Sequence, residues 1–262
     1  MIKAGCCGFA VQGGINAYYK KFSLVELQST FYKLPRLETA KKWRKAAPEG
    51  FEFTLKAFQA ITHPVTSPTW RKAGVKVPLE RAERYGFLKP TDENIEAWES
   101  TRRIAEVLEA KVVVVQCPPT FIYSVATVTD INGFFNSINR DGLEIAWEPR
   151  NPSWLPEIVK ILCDKLNLVH VVDPFKERTV TAYRELIYYR LHGLGKRMYV
   201  YKYTDEDHRR LYTEFVEPYT QYGKEFYILW NNVAMAEDAE RFQKLISKKY
   251  SERLSCSQHG LT

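Results

Sequence analysis

Short apolar runs that alternate with longer amphipathic stretches constrain the fold of this chain more than any other feature. The runs "KVVVVQC", "NLVHVVD" and "FYILWNN" are almost continuously apolar or β-branched, which is typical of parallel strands covered on both faces. Between such runs, stretches such as "LPEIVKILCDKL" repeat their apolar residues at helical spacing. Strands that alternate with helices predict a parallel sheet with right-handed crossovers.

The number of strands decides the architecture. We place strands at residues 2–7, 23–28, 51–57, 111–117, 143–148, 167–173, 186–192 and 225–231. Eight strands predict an α/β fold of the TIM-like (β/α)8 barrel class. Residues 1–250 would form this single domain, followed by a polar C-terminal tail at 251–262. An open doubly wound sheet is the alternative, but no glycine-rich loop with dinucleotide-binding spacing follows the first strand.

Charge and cysteine content bound the class of protein. The formal net charge of +7 suits nucleic acid, phosphorylated ligands or an anionic membrane as a partner, or a protein that is merely basic. The five cysteines fit neither a disulfide framework nor a zinc ribbon, and adjacent Cys6 and Cys7 are expected on opposite faces of a strand, in the core. No signal peptide or membrane-spanning run is recognisable. We therefore expect a cytoplasmic monomer.

The predicted strands end on polar side chains. In "LEIAWEPRNPSW" a buried strand ends on Glu148 and Arg150, which are held between prolines. The ends of barrel strands converge on one mouth, and buried charges are costly unless they are paired. The strand ends therefore predict a shared polar cavity, with an internal ion-pair network that closes the barrel as the alternative. The other side chains in this set are Glu26, Gln28, Lys56, Gln116, Asp173, Arg190, His192, Asn231 and Asn232.

Several motifs, taken in order, resemble those of a known family. "GCCGFA", "VELQSTFYKLP", "FTLKAFQAITHP", "VQCPPTF", "WEPRNPSW", "YYRLHG" and "LWNN" occur in the order seen in domain of unknown function family 72, the YecE-like family. The resemblance implies a TIM-type barrel with a polar cleft at the carboxyl ends of its strands. Archaeal-type members are linked with removal of damaged pyrimidines, such as 5-hydroxyuracil or uracil, from DNA, so the resemblance implies a DNA-repair glycosylase.

Base removal gives the polar strand ends specific roles. The reaction passes through an oxocarbenium-like sugar, which a carboxylate can stabilise while another group activates water or stabilises the leaving base. Glu148 and Asp173 are the candidate catalytic carboxylates, and His192 is a candidate general acid or phosphate contact. His170 is expected in the core, and the role of His63 stays open. The candidate substrate-binding residues are Glu26, Tyr32, Gln116, Arg150, Arg190, Asn231 and Asn232.

Lys56 allows two interpretations. A lysine desolvated at a barrel mouth can lose its proton, attack the sugar carbon and form a Schiff base, which would add lyase activity. The preferred interpretation is an ion pair between Lys56 and Glu26 or Glu148. The chain lacks closely spaced histidine ligands and its predicted mouth contains several cations, so we expect no metal and no cofactor.

Two segments that would project over the mouth combine cations with aromatic residues. They are "SPTWRKAGVKVPLERAERYGF" and "GLGKRMYVYKYTDEDHRR". Cations can follow phosphates while aromatic rings stack on exposed bases, so DNA with a damaged, flipped or single-stranded base is the predicted partner. The aromatic residues of these segments are Trp70, Tyr85, Tyr199, Tyr201 and Tyr203. Ordinary solvated loops, a hydrolase of a small phosphorylated or sugar ligand, and a non-enzymatic nucleic-acid-binding or adaptor barrel remain the alternatives. The candidate DNA-binding residues are Arg71, Lys72, Lys76, Lys196, Arg197 and Lys202.

Overall fold

The computed structural model describes residues 1–195 and 197–259, with side chains described as far as residue 251. Within these residues a parallel eight-stranded sheet has the order β6-β5-β4-β3-β2-β1-β8-β7. A parallel bridge between Val172 and Tyr189 joins the two outer strands, so the sheet closes into the predicted (β/α)8 barrel. The strands are β1 Ile2–Cys6, β2 Leu24–Leu27, β3 Glu52–Lys56, β4 Val112–Gln116, β5 Glu144–Glu148, β6 Leu168–His170, β7 Leu186–Leu191 and β8 Glu225–Trp230.

Helices surround the barrel and connect successive strands. The long segment between β3 and the next α-helix contains only short 3-10 helices, at Gln59–Ile61, Pro68–Lys72 and Leu79–Arg84. Thr91 then caps the start of that long α-helix. The predicted polar tail starts inside the last helix, which continues to His259. The helices are α1 Gly14–Tyr19, α2 Ser29–Tyr32, α3 Leu37–Ala46, α4 Asp92–Leu108, α5 Val125–Ser137, α6 Pro156–Leu166, α7 Asp205–Arg210, a π-helical segment Leu211–Val216, α8 Glu217–Thr220 and α9 Met235–His259.

The sixth strand is shorter than the sequence predicts. We expect a strand over residues 167–173, but β6 ends at His170. The backbone N–H of His170 donates to the Thr181 hydroxyl at 2.9 Å, and its carbonyl accepts from the Thr179 hydroxyl at 3.0 Å. Because a neighbouring loop satisfies these groups, no ladder to β7 forms there, and the barrel closes at Val172 instead.

Alternate residues of β3 mark successive layers of the barrel interior. Glu52 closes the amino end, where it pairs with Lys111 at 2.7 Å and accepts a hydrogen bond from Tyr227. One layer higher, the Thr54 hydroxyl lies 2.9 Å from the Tyr188 hydroxyl. Because side chains two apart on a strand face the same way, Lys56 points into the carboxyl end of the barrel.

The adjacent cysteines obey the same alternation. Cys6 packs in the layer between sheet and helices, whereas Cys7 packs with the side chains inside the barrel. Both are buried, as expected. His170 is also buried, as expected, and its Nδ1 accepts a hydrogen bond from the Val180 N–H at 3.3 Å, but it also lines a cavity at the carboxyl end of the barrel.

Candidate active site at the carboxyl end of the barrel

Arg190 organises the polar mouth of the barrel. Its side chain extends from β7 across the interior and is 0% exposed. One terminal nitrogen donates to Glu148 Oε2 and to Gln116 Oε1 at 3.3 Å, and the other donates to Glu26 Oε1 at 2.9 Å. Four strands are therefore joined through one guanidinium, and the polar strand ends converge as the sequence predicts.

Arg150 adds a second guanidinium on the same carboxylate. Its Nε donates to Glu148 Oε1 at 2.6 Å, while Nη2 donates to His192 Nε2 at 3.0 Å. Its third nitrogen, Nη1, donates to the hydroxyl of Tyr199 at 3.2 Å. Arg150 follows Glu148 by two residues and faces the same side, so the Glu-Pro-Arg sequence at the end of β5 supplies an ion pair aimed at the mouth.

The environments of Glu148 and Asp173 shift their pKa values in opposite directions. Burial by itself would raise the pKa of Glu148, but the guanidiniums of Arg150 and Arg190 hold that pKa well below its ordinary value. For Asp173, burial dominates and raises the pKa above its ordinary value. Asp173 accepts backbone N–H bonds from His192 at 3.1 Å and Phe175 at 3.2 Å, which only partly oppose that rise.

His192 lies between these two carboxyls. Its Nε2 is 3.5 Å from Glu148 Oε1, and its Nδ1 is 3.3 Å from the amide nitrogen of Asn231. Burial lowers the pKa of His192 to about 4, although Glu148 opposes the shift. The imidazole is therefore neutral at physiological pH and acts in this cluster as a hydrogen-bonding group.

A cavity of about 730 Å³ opens beside the cluster. Glu148, Arg150, Asp173 and His192 form its polar side. Its remaining walls come from the proline-rich segment after β5 and from residues 176–180 after β6. This volume lies within the range of about 300–1,000 Å³ that holds small organic ligands or a flipped nucleotide.

Lys56 and His63 lie near each other on Phe31. The Lys56 ammonium nitrogen is 3.6 Å from the centre of the Phe31 ring. The His63 ring packs edge-on against the same phenyl ring, with 4.7 Å between the two ring centres. Burial lowers the pKa of Lys56 to about 7, with Arg190 and Arg150 adding to the shift. Burial and the nearby Lys56 charge lower the pKa of His63 to about 3.

The preferred interpretation of Lys56 from the sequence is wrong. Arg190 occupies Glu26, and Arg150 and Arg190 together occupy Glu148, so Lys56 forms an ion pair with neither carboxylate. The reason is reach and geometry: a guanidinium can bridge several acceptors at once, whereas an ammonium is a compact charge. An aromatic face takes the place of the expected carboxylate.

Two predicted substrate contacts have other surroundings. The Asn232 amide is buried and donates to the Tyr201 carbonyl at 2.6 Å and to Asp238 at 2.7 Å, where it joins the end of β8 to α9. Tyr32 is half-buried, and the ammonium of Lys72 lies 4.8 Å from the centre of its ring. Its neighbour Phe31 is buried beneath Lys56.

Tyr199 and Gln28 lie at the mouth as the sequence predicts, whereas Tyr188 is a member of the site that the sequence analysis does not include. Tyr199 reaches over the mouth to Arg150 from a backbone φ of 73°. Tyr188 donates to Glu26 Oε2 at 2.8 Å, and Gln28 donates to Oε1 of the same carboxylate. The alternation in "LIYYRL", which puts Tyr188 on the same face as Arg190, is the signal that identifies Tyr188.

The two basic segments differ from expectation in their aromatic residues. Trp70 and Tyr203 are buried, because the Trp70 indole donates to the His63 carbonyl and the Tyr203 hydroxyl accepts from the Gly193 N–H. Neither ring is therefore available to stack on a base. Among the cations, Lys202 pairs with Glu237 at 2.7 Å, and Lys196 lies outside the described residues. The other candidate cations, Arg71, Lys72, Lys76 and Arg197, are at exposed positions.

No metal site or membrane span is found within the part of the chain that the structure describes. Among these residues, no group of three or more His, Cys, Asp or Glu side chains is arranged to hold a metal ion. None of the described helices is both long and apolar enough to cross a bilayer. The carboxylates of Glu26 and Glu148 are instead committed to guanidinium and amide donors.

Comparison with known proteins gives the family. The family model described as protein of unknown function DUF72 matches residues 9–259. A segment of 53 residues is 40% identical to the UPF0759 protein YunF of Bacillus subtilis (strain 168), and it covers 20% of this chain and 19% of that protein. A DUF72 family protein from Enterococcus faecalis V583 has a similar structure, with a TM-score of 0.72 and 25% identity over 94% of this chain and 98% of that chain.

A barrel from outside the family shares the fold alone. Endonuclease IV from Thermus thermophilus aligns with a TM-score of 0.51 and 12% identity over 94% of this chain and 99% of that chain. Sequence identity at this level carries no information about the site. Because the family model covers nearly the whole barrel, from Phe9 in the loop after β1 to the end of α9, this chain belongs to the DUF72 family of proteins of unknown function.

Proposed function

We propose that this protein hydrolyses an N-glycosidic bond and releases a damaged pyrimidine, such as 5-hydroxyuracil or uracil, from DNA. One observation carries the proposal: Glu148 and Asp173 line the same cavity, and their environments move their pKa values in opposite directions. Pairs of carboxyls separated in this way divide a reaction into a permanently charged group and a proton-transferring group. Glycosidic hydrolysis needs both.

Glu148 would supply the permanent charge. Both of its oxygens accept hydrogen bonds from guanidiniums, so it is a poor nucleophile and a poor base. A buried carboxylate fixed in this way stabilises the positive charge that develops on the sugar as the bond to the base breaks. Its orientation requires no rearrangement during the reaction, because Arg150 and Arg190 hold it in place.

Asp173 would transfer the proton. A water molecule that attacks C1′ of the sugar must lose a proton, and Asp173 accepts it as the new C–O bond forms. The departing base takes the electron pair of the broken C–N bond, and hydrogen bonds from Arg150 stabilise its negative charge. A carboxyl with a raised pKa is a stronger base when ionised than an exposed aspartate, which suits this role.

DNA as the substrate is supported by the charge around the mouth. The chain carries a net charge of +7, and Arg71, Lys72, Lys76 and Arg197 are exposed in the segments that follow β3 and β7. Such cations attract phosphates independently of sequence. With Trp70 and Tyr203 buried, the case for DNA depends on these cations more than on stacking.

A small phosphorylated or sugar ligand is the second candidate. The cavity is enclosed by prolines, Trp154 and Val159, and its volume would hold a free nucleoside or sugar phosphate without any polymer. The same carboxyl pair would then cleave a soluble glycoside. Salt separates the two substrates, because affinity for a polyanion falls steeply as salt rises and affinity for a small ligand does not.

The test is a strand-cleavage assay on labelled oligonucleotides that contain 5-hydroxyuracil, uracil or hypoxanthine, each with and without alkali and EDTA. The proposal predicts cleavage after alkali treatment, insensitive to EDTA, that Asp173→Asn slows strongly. Asp164→Asn, on the outer face of α6, is the matched control and should keep full activity. If every oligonucleotide stays intact with excess wild-type protein, the proposal for DNA is wrong; release of base from free nucleosides would then favour the small-ligand hydrolase.

A further inference from the structure

Lys56 is a buried lysine without a carboxylate partner. It is the last residue of β3 and is only 6% exposed. Among the side chains described, none forms a salt bridge with its ammonium, whose close neighbour is the face of Phe31 at 3.6 Å. Buried lysines in proteins are ordinarily paired, because a lone buried charge is costly.

The charges around Lys56 are already balanced without it. The cluster contains two carboxylates, Glu26 and Glu148, and two guanidiniums, Arg150 and Arg190. Protonation of Lys56 would add an uncompensated positive charge beside both guanidiniums. Burial and these two cations lower its pKa to about 7, so the neutral amine is populated at neutral pH.

The direction of the side chain places this amine at the mouth. Thr54, two residues earlier, contacts Tyr188 in the barrel interior, and Lys56 faces the same way one layer higher. The charges of Glu148, Glu26, Arg150 and Arg190 act on Lys56, which belongs to this cluster but is not itself part of the cavity wall. A neutral primary amine here is a nucleophile without an assigned task.

We propose that Lys56 condenses with the aldehyde of a ring-opened abasic sugar to form an imine. The Nζ atom forms a bond to C1′, the aldehyde oxygen leaves as water with the two amine protons, and no oxidant or reductant is consumed. This inference rests on the proposed function for the identity of the sugar, because removal of a base from DNA generates that aldehyde. The imine would keep the abasic product covalently bound to the protein, whereas without it the product would dissociate.

Reductive trapping tests the inference separately from base removal. The protein is mixed with an oligonucleotide that contains a pre-formed abasic site, in the presence of sodium cyanoborohydride, which converts an imine to a stable amine. Cross-linked product is measured on a denaturing gel and mapped by peptide mass spectrometry. Because the base is already absent, a failure of glycosidic hydrolysis does not affect this measurement.

We expect an adduct on the peptide that contains Lys56. Lys56→Met should lower the trapping rate by about tenfold or more. Lys111→Met, at the opposite end of the barrel, should leave the rate unchanged. Thermal unfolding of both variants checks that they are folded, and Met suits the buried position because it keeps the length of the chain without its charge.

The pH dependence distinguishes Lys56 from an exposed lysine. The trapping rate should rise with a midpoint near pH 7, as Lys56 loses its proton. An adduct that maps to other lysines, that persists in Lys56→Met, or that rises only near the ordinary lysine pKa of about 10 would overturn the inference. Absence of any adduct with wild-type protein would overturn it too, even if base removal is observed.

Discussion

Replacing Arg190 with Met should show how strongly the barrel depends on its central ion-pair network. Arg190 is fully buried and contacts both Glu26 and Glu148. Methionine matches its length but leaves two buried carboxylates without their shared cation. Removal of one partner from a buried ion pair costs about 3–5 kcal/mol, so the unfolding free energy should fall by that amount at neutral pH.

The loss should depend on pH. In the wild-type protein the pKa of Glu148 lies below its unfolded value, so its contribution to stability is present above the unfolded pKa and is lost as pH falls through the folded pKa. In Arg190→Met one of the two guanidiniums is gone, the pKa of Glu148 moves upward, and this contribution shrinks. The difference in unfolding free energy between the two proteins should therefore be smaller near pH 4 than near pH 7, and it should disappear only below the folded pKa of wild-type Glu148, which lies well below the ordinary value.

Urea unfolding followed by tryptophan fluorescence measures the difference at both pH values. Arg210→Met is the matched control, because Arg210 pairs with Glu214 on an exposed helical surface and should have no measurable effect. A loss below about 1 kcal/mol at neutral pH, or an equal loss at both pH values, would refute the reasoning that Arg190 compensates buried carboxylates.

Other predictions concern the loops, DNA binding and catalysis. Gly86→Ala should lower the unfolding free energy, measured in urea, by about 1–3 kcal/mol, which is more than the loss for Gly142→Ala. Both glycines have a positive φ, but only at Gly86 would the added Cβ meet backbone, 2.6 Å from the carbonyl carbon of His63. Equal losses would show that the clash is relieved. Lys72→Met should reduce the salt slope of oligonucleotide binding, measured by fluorescence anisotropy, by about one; an unchanged slope would remove Lys72 from the DNA surface. For base removal, kcat/KM should fall in acid as Asp173 becomes protonated, at a pH above the ordinary aspartate value, and the residual activity of Asp173→Asn should lack that fall.

The strand ends could be predicted from the sequence because they combine two simple patterns. A continuously apolar run that stops at a charged residue fixes both the strand and its end, as at Glu148. Residues two apart share a face, which brings Glu148 and Arg150 to the same mouth. Closure of eight parallel strands then makes the convergence of Glu26, Gln116 and Arg190 a consequence of topology.

The pairing inside the mouth could not be predicted in the same way. Which cation pairs with which carboxylate depends on the reach of each side chain. Arg190 pairs with both Glu26 and Glu148, the two carboxylates expected as partners of Lys56. Burial of Trp70 depends on the His63 carbonyl, seven residues away in an irregular loop. The early end of β6 depends on two threonine hydroxyls, from Thr179 and Thr181, that take over backbone groups.

The most direct test of the central claim is release of free base under single-turnover conditions. Excess protein is incubated with DNA that contains 5-hydroxyuracil or uracil, and the liberated base is quantified by mass spectrometry. We predict one equivalent of free base per abasic site formed, with the rate lowered about a hundredfold or more in Glu148→Gln because the sugar cation loses its fixed negative charge. No free base from either DNA, or release by Glu148→Gln at the wild-type rate, would contradict glycosidic hydrolysis at this mouth.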